Sequence, residues 1–229
     1  MSLTAQIGRW LGWGAICRTD ALTEPLALGH LLFQSDRADP VAQWKLHEEY
    51  QIREEITAHD GTLRFSTPAE TADEWAYVYL DPRDYPWKDF SWQFKVKRET
   101  RFREFAFNFR YQDFDNRYRY RFEDDKLYFD KKVRGEWYNN ISSILFPMPL
   151  GQWHQVRIDV CASLFRCYVD SRLLLENVDT DLATGSICVI LWEDDGRTPI
   201  LAEVGPMNVY SLRPGVCLSL SKAGHFAVS

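Results

Sequence analysis

In the middle of this 229-residue chain, cationic and aromatic side chains alternate strictly. The stretch Phe105-Ala106-Phe107-Asn108-Phe109-Arg110-Tyr111 leads through Asp113-Phe114-Asp115-Asn116 into Arg117-Tyr118-Arg119-Tyr120-Arg121-Phe122. Successive residues of a strand project to opposite faces. A hairpin here is therefore expected to turn Phe105, Phe107, Phe109, Tyr118, Tyr120 and Phe122 to one side and Asn108, Arg110, Arg119 and Arg121 to the other. Adjacent arginines repel unless something answers them. Left open, they would offer bidentate hydrogen bonds to carboxylates. Answered by Glu104 or Asp130, they would form only a solvated ion-paired sheet. If Ile187, Val189 and Leu191 point inward, Trp192 points outward beside Glu193, and Trp137 with Tyr138 follows the Arg134-Gly135 turn. Aromatic faces beside polar groups are the chemistry that holds sugars, by stacking on C–H-rich ring surfaces while the polar groups satisfy hydroxyls.

Cleaving a glycosidic bond needs more, namely one carboxylic acid to protonate the leaving oxygen and a second to attack or to activate water. Glu104, Glu136 and Glu193, with His154, are the first candidates, brought together from separate strands. Glu123-Asp124-Asp125 and Glu193-Asp194-Asp195 read as solvated turns, and His154, at a strand start after Trp153, has a packed role open to it. No Gly-x-Ser-x-Gly elbow, glycine-rich phosphate loop or dinucleotide fingerprint occurs. Asp113, Asp115 and Asn116 have the hard oxygen ligands a Ca²⁺ ion needs, but three are few, and a tight hairpin turn is the expected role. No cofactor is otherwise implied. The five cysteines, Cys17, Cys161, Cys167, Cys188 and Cys217, are odd in number and include no C-x-x-C pair. Cys161 and Cys167 are expected on opposite faces of a hairpin, so free thiols are the expectation.

Strands must position these groups. Short alternating runs at Thr62 to Phe65, Ala76 to Leu80, Ser91 to Lys97, Lys126 to Val133, Trp153 to Val160, Phe165 to Asp170, Leu173 to Glu176, Ile187 to Trp192 and Val204 to Leu212 join the hairpin. Turn residues separate them and no helical pattern intervenes, so the expected fold is all-β, an antiparallel two-sheet jelly-roll sandwich. One domain over 1–229 is expected, with its core in 31–212 and peripheral extensions at 1–30 and 213–229. Trp10, Leu11, Trp13 and Ile16 suit either a short helix or an edge strand, and Val216 to Leu220 another strand. The net charge of −6 disfavours nucleic acid, and no apolar run approaches the roughly 20 residues of a bilayer span. No secretory signal is visible in Met1-Ser2-Leu3-Thr4-Ala5-Gln6, and the compartment and oligomeric state stay open.

The order of motifs resembles the concanavalin A-like lectin/glucanase sandwiches, especially bacterial laminin-G-like modules and the related keto-disaccharide-hydrolase-type domain. The matching residues are His59-Asp60-Gly61-Thr62-Leu63-Arg64-Phe65, then Phe109-Arg110 through the acidic turn to Arg117-Tyr118, then Gly151-Gln152-Trp153-His154 with Tyr168-Val169-Asp170, and last Gly185-Ser186-Ile187-Cys188-Val189. The resemblance covers about residues 31 to 212. It implies a concanavalin A-like sandwich, while activity varies on this scaffold among lectins, hydrolases, lyases and adhesion modules. Where relatives close with Phe-Asp-Asn-Val, this chain has Gly205-Pro206-Met207-Asn208-Val209, so no role of that acidic residue transfers. The Glu-x-Asp-x-x-Glu signature of laminarinase-type members is also missing, since Tyr128 and Thr198 occupy the last acidic positions of the two nearest stretches.

The leading expectation is a protein that binds an oligo- or polysaccharide, acidic sugars foremost, on its concave sheet through Asn108, Arg110, Arg119, Arg121, Trp137 and Trp192. The alternatives are a glycoside hydrolase or polysaccharide lyase using the acids above, and a protein-interaction or structural module whose exposed aromatics meet another chain.

Overall fold

A computed structural model describes residues 24–35, 41–47, 56–67 and 74–213. The segments Trp10 to Ile16 and Val216 to Leu220, expected as a helix or edge strand and a further strand, lie outside the described residues. Among the described residues, sixteen strands form two antiparallel sheets. One sheet has the order β10 (Glu136–Leu145), β9 (Lys126–Val133), β8 (Asn116–Glu123), β7 (Glu104–Asp113), β14 (Ser186–Glu193), β5 (Glu74–Tyr79) and β2 (Lys45–Leu46). The other runs β13 (Arg172–Val178), β12 (Leu164–Val169), β11 (Trp153–Cys161), β6 (Phe90–Arg98), β15 (Leu201–Val204), β4 (Thr62–Ser66) and β3 (Ile56–His59). On it, β16 (Asn208–Leu212) pairs with both β6 and β1 (Leu28–Gln34). This is the sandwich the alternation predicts. The stretch read as one strand from Val204 to Leu212 is two, interrupted at Gly205 and Pro206.

The inner faces close on a single core. Phe105, Phe107, Phe109, Tyr118, Tyr120, Phe122 and Phe129 of the seven-stranded sheet meet Trp92, Phe94, Ile158, Phe165 and Val169 of the other. Rings interlock across the gap: Phe94 and Phe107 lie 4.7 Å apart and Tyr118 and Phe165 likewise 4.7 Å. Offset and edge-on pairs at these distances add to the gain from removing large apolar areas from water. The hairpin register is as the alternation requires, Phe105 facing Phe122, Phe107 facing Tyr120 and Phe109 facing Tyr118.

The alternation fails after Phe109. The β7–β8 ladder slips between Phe109 and Asp113, and Arg110 adopts a left-handed φ of 45°. A bulge of this kind turns the residues beyond it to the other face. Tyr111, two residues beyond Phe109, does not follow it into the core but joins Tyr77, Ala106, Cys188 and Ile190 on the sheet's outer face. Arg110, expected on that outer face, points toward the sandwich interior against the Phe165 ring, 5.1 Å from its centroid.

Cysteine chemistry also departs from expectation. Cys167 and Cys188 are free and buried, but Cys161 is disulfide-bonded. Among the described residues no helix is long and apolar enough to cross a membrane.

Candidate functional site

On the outer face of the seven-stranded sheet, β8 places Arg117, Arg119 and Arg121, β9 places Tyr128, Asp130 and Lys132, and β7 places Glu104 and Asn108. The arginines do not stand open to solvent. Arg119 and Arg121 are each 6% exposed, and Asp130 beneath them is fully buried. Arg119 donates from Nε to Asp130 Oδ2 at 2.9 Å and from Nη1 to Glu104 Oε1 at 2.6 Å. Arg121 donates from Nε to the same Asp130 oxygen at 2.6 Å and from Nη2 to Asn140 Oδ1 at 2.7 Å, and pairs with Glu123. The backbone N–H of Asn140 donates to Asp130 Oδ1 at 2.6 Å. Burial pushes the Arg119 guanidinium below the ordinary arginine range, while Glu104 and Asp130 pull it back up. A buried charge is tolerated only when paired and hydrogen-bonded, and this lattice of carboxylates meets that condition.

Aromatic rings sit on these cations. The Arg119 guanidinium lies 4.1 Å from the Trp137 ring centroid and Arg117 4.9 Å from it, and Lys132 Nζ approaches the same ring at 5.7 Å. Arg121 lies 4.4 Å from the Tyr128 ring. Lys132 is held by Asp115 Oδ1 at 2.7 Å and stands 4.0 Å from Phe114. Cation–π contacts that exclude water are worth more than exposed ones. They fix Trp137 and Tyr128 in position, and both rings remain half-buried. Asn140, in left-handed conformation at a slip in the β9–β10 register, is exposed beside them.

Trp192 lies on the same face but across the sheet, at β14. It stacks on Trp75, its direct cross-strand neighbour, at 5.1 Å, with the Arg103 guanidinium 5.1 Å from its ring. Arg103 in turn meets Glu123 at 3.2 Å and pairs with Asp194. Asn108 is fully buried, its Nδ2 donating to the Cys188 carbonyl at 3.3 Å. The structure therefore brings Arg119, Arg121 and Trp137 together, places Trp192 on β14, opposite Glu104 and four strands from Trp137, and removes Arg110 altogether. Arg110 donates to the carbonyls of Leu182 at 2.7 Å, Lys88 at 3.2 Å and Ala162, tying three loops together.

The four groups singled out for acid–base chemistry do not converge. Glu104 is engaged by Arg119. Glu193 accepts backbone N–H bonds from Arg103 at 2.8 Å, Asp194 at 2.9 Å and Asp195 at 3.1 Å, which makes it the organiser of its own turn. Glu136 is exposed at the start of β10 and accepts from the Tyr138 hydroxyl at 3.1 Å. His154 belongs to the other sheet, packed edge-on to Phe146 with Nδ1 2.7 Å from Asp170 Oδ2. At the acidic hairpin, Asp113 Oδ1 accepts the Asp115 N–H at 2.8 Å and the Asn116 amide at 2.9 Å, which is the geometry of an Asx turn. Among the described residues no group of three or more His, Cys, Asp or Glu is placed to hold a metal ion.

Sequence reasoning assigns none of Tyr128, Lys132, Glu123 and Asn140 to this face. The first two follow from the same period-two pattern, because Tyr128, Asp130 and Lys132 alternate with Leu127 and Phe129. Asn140 has no such signal, since a register slip places it.

The sequence matches no protein-family model and no curated protein. Solved structures are similar in fold. A Bacillus subtilis protein with a galectin-like fold matches at TM-score 0.62 and 10% identity, covering 82% of this chain and 98% of its own. A non-specific endo-β-1,3(4)-glucanase of family GH16 matches at TM-score 0.59 and 15% identity over 83% of this chain and 95% of its own. The carbohydrate-binding module CBM66 from Bacillus subtilis matches at TM-score 0.50 and 16% identity over 69% and 91%. Together with the two antiparallel sheets, these matches give the chain a galectin-like, concanavalin A-like β-sandwich fold.

Proposed function

We propose that this chain is a saccharide-binding protein without hydrolase chemistry, taking a neutral oligosaccharide along the β8, β9 and β10 side of the seven-stranded sheet's outer face. The observation that carries this reading is the pair of half-buried rings, Trp137 and Tyr128, each seated on a guanidinium that is itself ion-paired. A ring fixed before the ligand arrives loses little freedom on stacking. The exposed Asn140 supplies amide donors beside the rings. Solved sandwiches of similar fold include a carbohydrate-binding module and a glucanase, which makes saccharides the ligand class to test first.

Two features shape the reading. Glu104, Asp130 and Glu123 answer Arg119 and Arg121, so the face offers no surplus positive charge to draw in a uronate. Glu104 is ion-paired, Glu193 ties its own turn, His154 is packed on the other sheet, and Glu136 stands exposed on a different cleft from Glu193, whereas hydrolysis needs two carboxyl groups across one bond.

The test is titration calorimetry against neutral and uronic oligosaccharides side by side, with a reducing-end assay on the same panel. Neutral oligosaccharides are expected to bind, and Trp137→Ala to weaken them at least about fivefold, since stacking on an aromatic ring is worth about 1 kcal/mol or more. Arg110→Ala should lower the melting temperature while leaving affinity intact. Binding confined to uronates, release of new reducing ends, or Trp137→Ala with unchanged affinity would each overturn the proposal.

A further inference from the structure

The edge strand β10 sends consecutive residues to opposite sides. Trp137, opposite Lys132, belongs to the cation-backed face, whereas Tyr138, opposite Lys131, borders a separate cleft of about 460 Å³ at the lateral mouth of the sandwich. That volume falls within the range of small-molecule sites, roughly 300–1,000 Å³. Tyr138, Val133 and Leu182 give the cleft an apolar wall, and Gln112, Arg134 and Glu136 supply polar groups.

Each element of this cleft is held in place by something other than a ligand. The Tyr138 side is 43% exposed, yet its ring is fixed at both ends. Lys131 Nζ stands 5.1 Å from the ring centroid and is itself tied to Asp179 at 2.5 Å and Asp181 at 2.6 Å, while the phenol donates to Glu136 Oε2. Gln112 donates from Nε2 to the Thr184 carbonyl at 2.9 Å, which leaves its Oε1 as the acceptor of that amide. The Arg134 N–H donates to Asn116 Oδ1 at 2.9 Å, and the left-handed pair Arg134, φ 52°, and Gly135, φ 81°, makes a tight turn with Arg134 exposed in it and Glu136 exposed just after it. Arg134, Glu136 and Asp181 line the cleft, and Lys131 answers Asp181 at 2.6 Å, so no single charge dominates.

We infer that this cleft is a second saccharide site, taking one neutral pyranose with its apolar face on Tyr138 and its hydroxyls on Gln112, Arg134 and Glu136. An immobilised aromatic ring, an apolar back wall and mixed donors and acceptors with balanced charge match a polyhydroxylated ring better than a phosphate, which would call for unopposed cations, or an apolar ligand, which would strand the polar groups. The inference stands apart from the Trp137 face, because the two lie on opposite sides of β10.

Amide chemical-shift mapping of the whole protein at millimolar concentrations of glucose-, galactose- and mannose-based neutral oligosaccharides tests it. With at least one of these, the amides of Gln112, Val133, Arg134 and Leu182 are expected to shift and saturate. Tyr138→Ala should abolish that set of shifts while leaving those around Trp137 unchanged, and Trp137→Ala should do the reverse. Tyr138→Phe keeps the ring and loses only the bond to Glu136, so it should bind within a few-fold of the wild type, and it serves if Tyr138→Ala folds poorly. No saturable shift at these four amides with any of the sugars, or shifts that survive intact in Tyr138→Ala, would overturn the inference. Loss of the Trp137 shifts alone would sink the outer-face proposal and leave this one standing.

Discussion

At the scale of single residues, Arg119 is a structural part of the face rather than a hand held out to a ligand. Its guanidinium bridges Glu104 and Asp130 and carries the Trp137 ring. Removing it would leave two buried carboxylates short of a partner, and breaking a buried ion pair on one side costs about 3–5 kcal/mol. Arg119→Ala is therefore expected to be strongly destabilising by chemical denaturation, and Arg119→Lys to recover only part of the loss, because an ammonium cannot match the fork geometry that serves both acids. A substitution that left the unfolding midpoint unchanged would show that the network does not hold the sheet. The sequence announced the arginines and even their partners, Glu104 and Asp130, since same-face positions on neighbouring strands follow from alternation. It was silent on burial. Whether an outer face is wet depends on the sizes of the neighbouring side chains, here Trp137, Tyr128 and Phe114, and no periodicity encodes that.

At the scale of elements, the β7–β8 hairpin was readable down to its register, and the fault lies at one residue. Period two assigns Arg110 to the outer face, but the bulge that follows Phe109 reverses the sides. Gly185 is the counterpart of that bulge. A Cβ at this position would lie 2.4 Å from the Arg110 carbonyl carbon and 2.6 Å from the Tyr111 oxygen, contacts that only a backbone shift relieves. Gly185 N also donates to the Trp87 carbonyl at 3.0 Å. Gly185→Ala is expected to cost about 1–3 kcal/mol, the scale of local backbone strain. The same change should disturb the amide signals of Arg110, Ala162 and Leu182, where Arg110 staples the loops, more than those of β9. Equal stability to the wild type would mean that the bulge adjusts freely. Strand β10 was missed for a related reason. Its centre, Asn139-Asn140-Ile141-Ser142-Ser143, lacks apolar alternation because it forms a sheet edge, where one flank of the ladder is unpaired and both faces are partly wet. Both proposed binding sites draw on β10, so the least legible strand carries the most function in these readings.

At the scale of the whole molecule, acid stability rests in part on a carboxylate at the β5–β2 end of the seven-stranded sheet. Asp81, just beyond β5, is buried and accepts from Arg83 Nε at 3.0 Å and from the Arg83 N–H at 2.9 Å, while it also pairs with Lys45 of β2. The Arg83 and Lys45 side chains hold its carboxyl well below the usual carboxylate range. A carboxylate whose folded pKa is depressed contributes stability that is fully present above its unfolded value, about 3.9, and is lost as pH falls toward the folded value. The folded protein binds fewer protons than the unfolded chain in that window, so acidification pulls toward unfolding. Wild-type stability should therefore be flat with respect to this group from neutral pH down to about 4 and decline below it. Asp81→Asn removes the titrating group together with both ion pairs, so the variant should be less stable at neutral pH and its stability should fall less steeply below pH 4. Denaturant midpoints measured from pH 7 to pH 2 on both proteins decide the matter: parallel curves would show that Asp81 is not the anchor joining β2 to β5, whereas curves that converge as pH falls would show that this one carboxylate couples the sheet's edge strand to the stability of the fold.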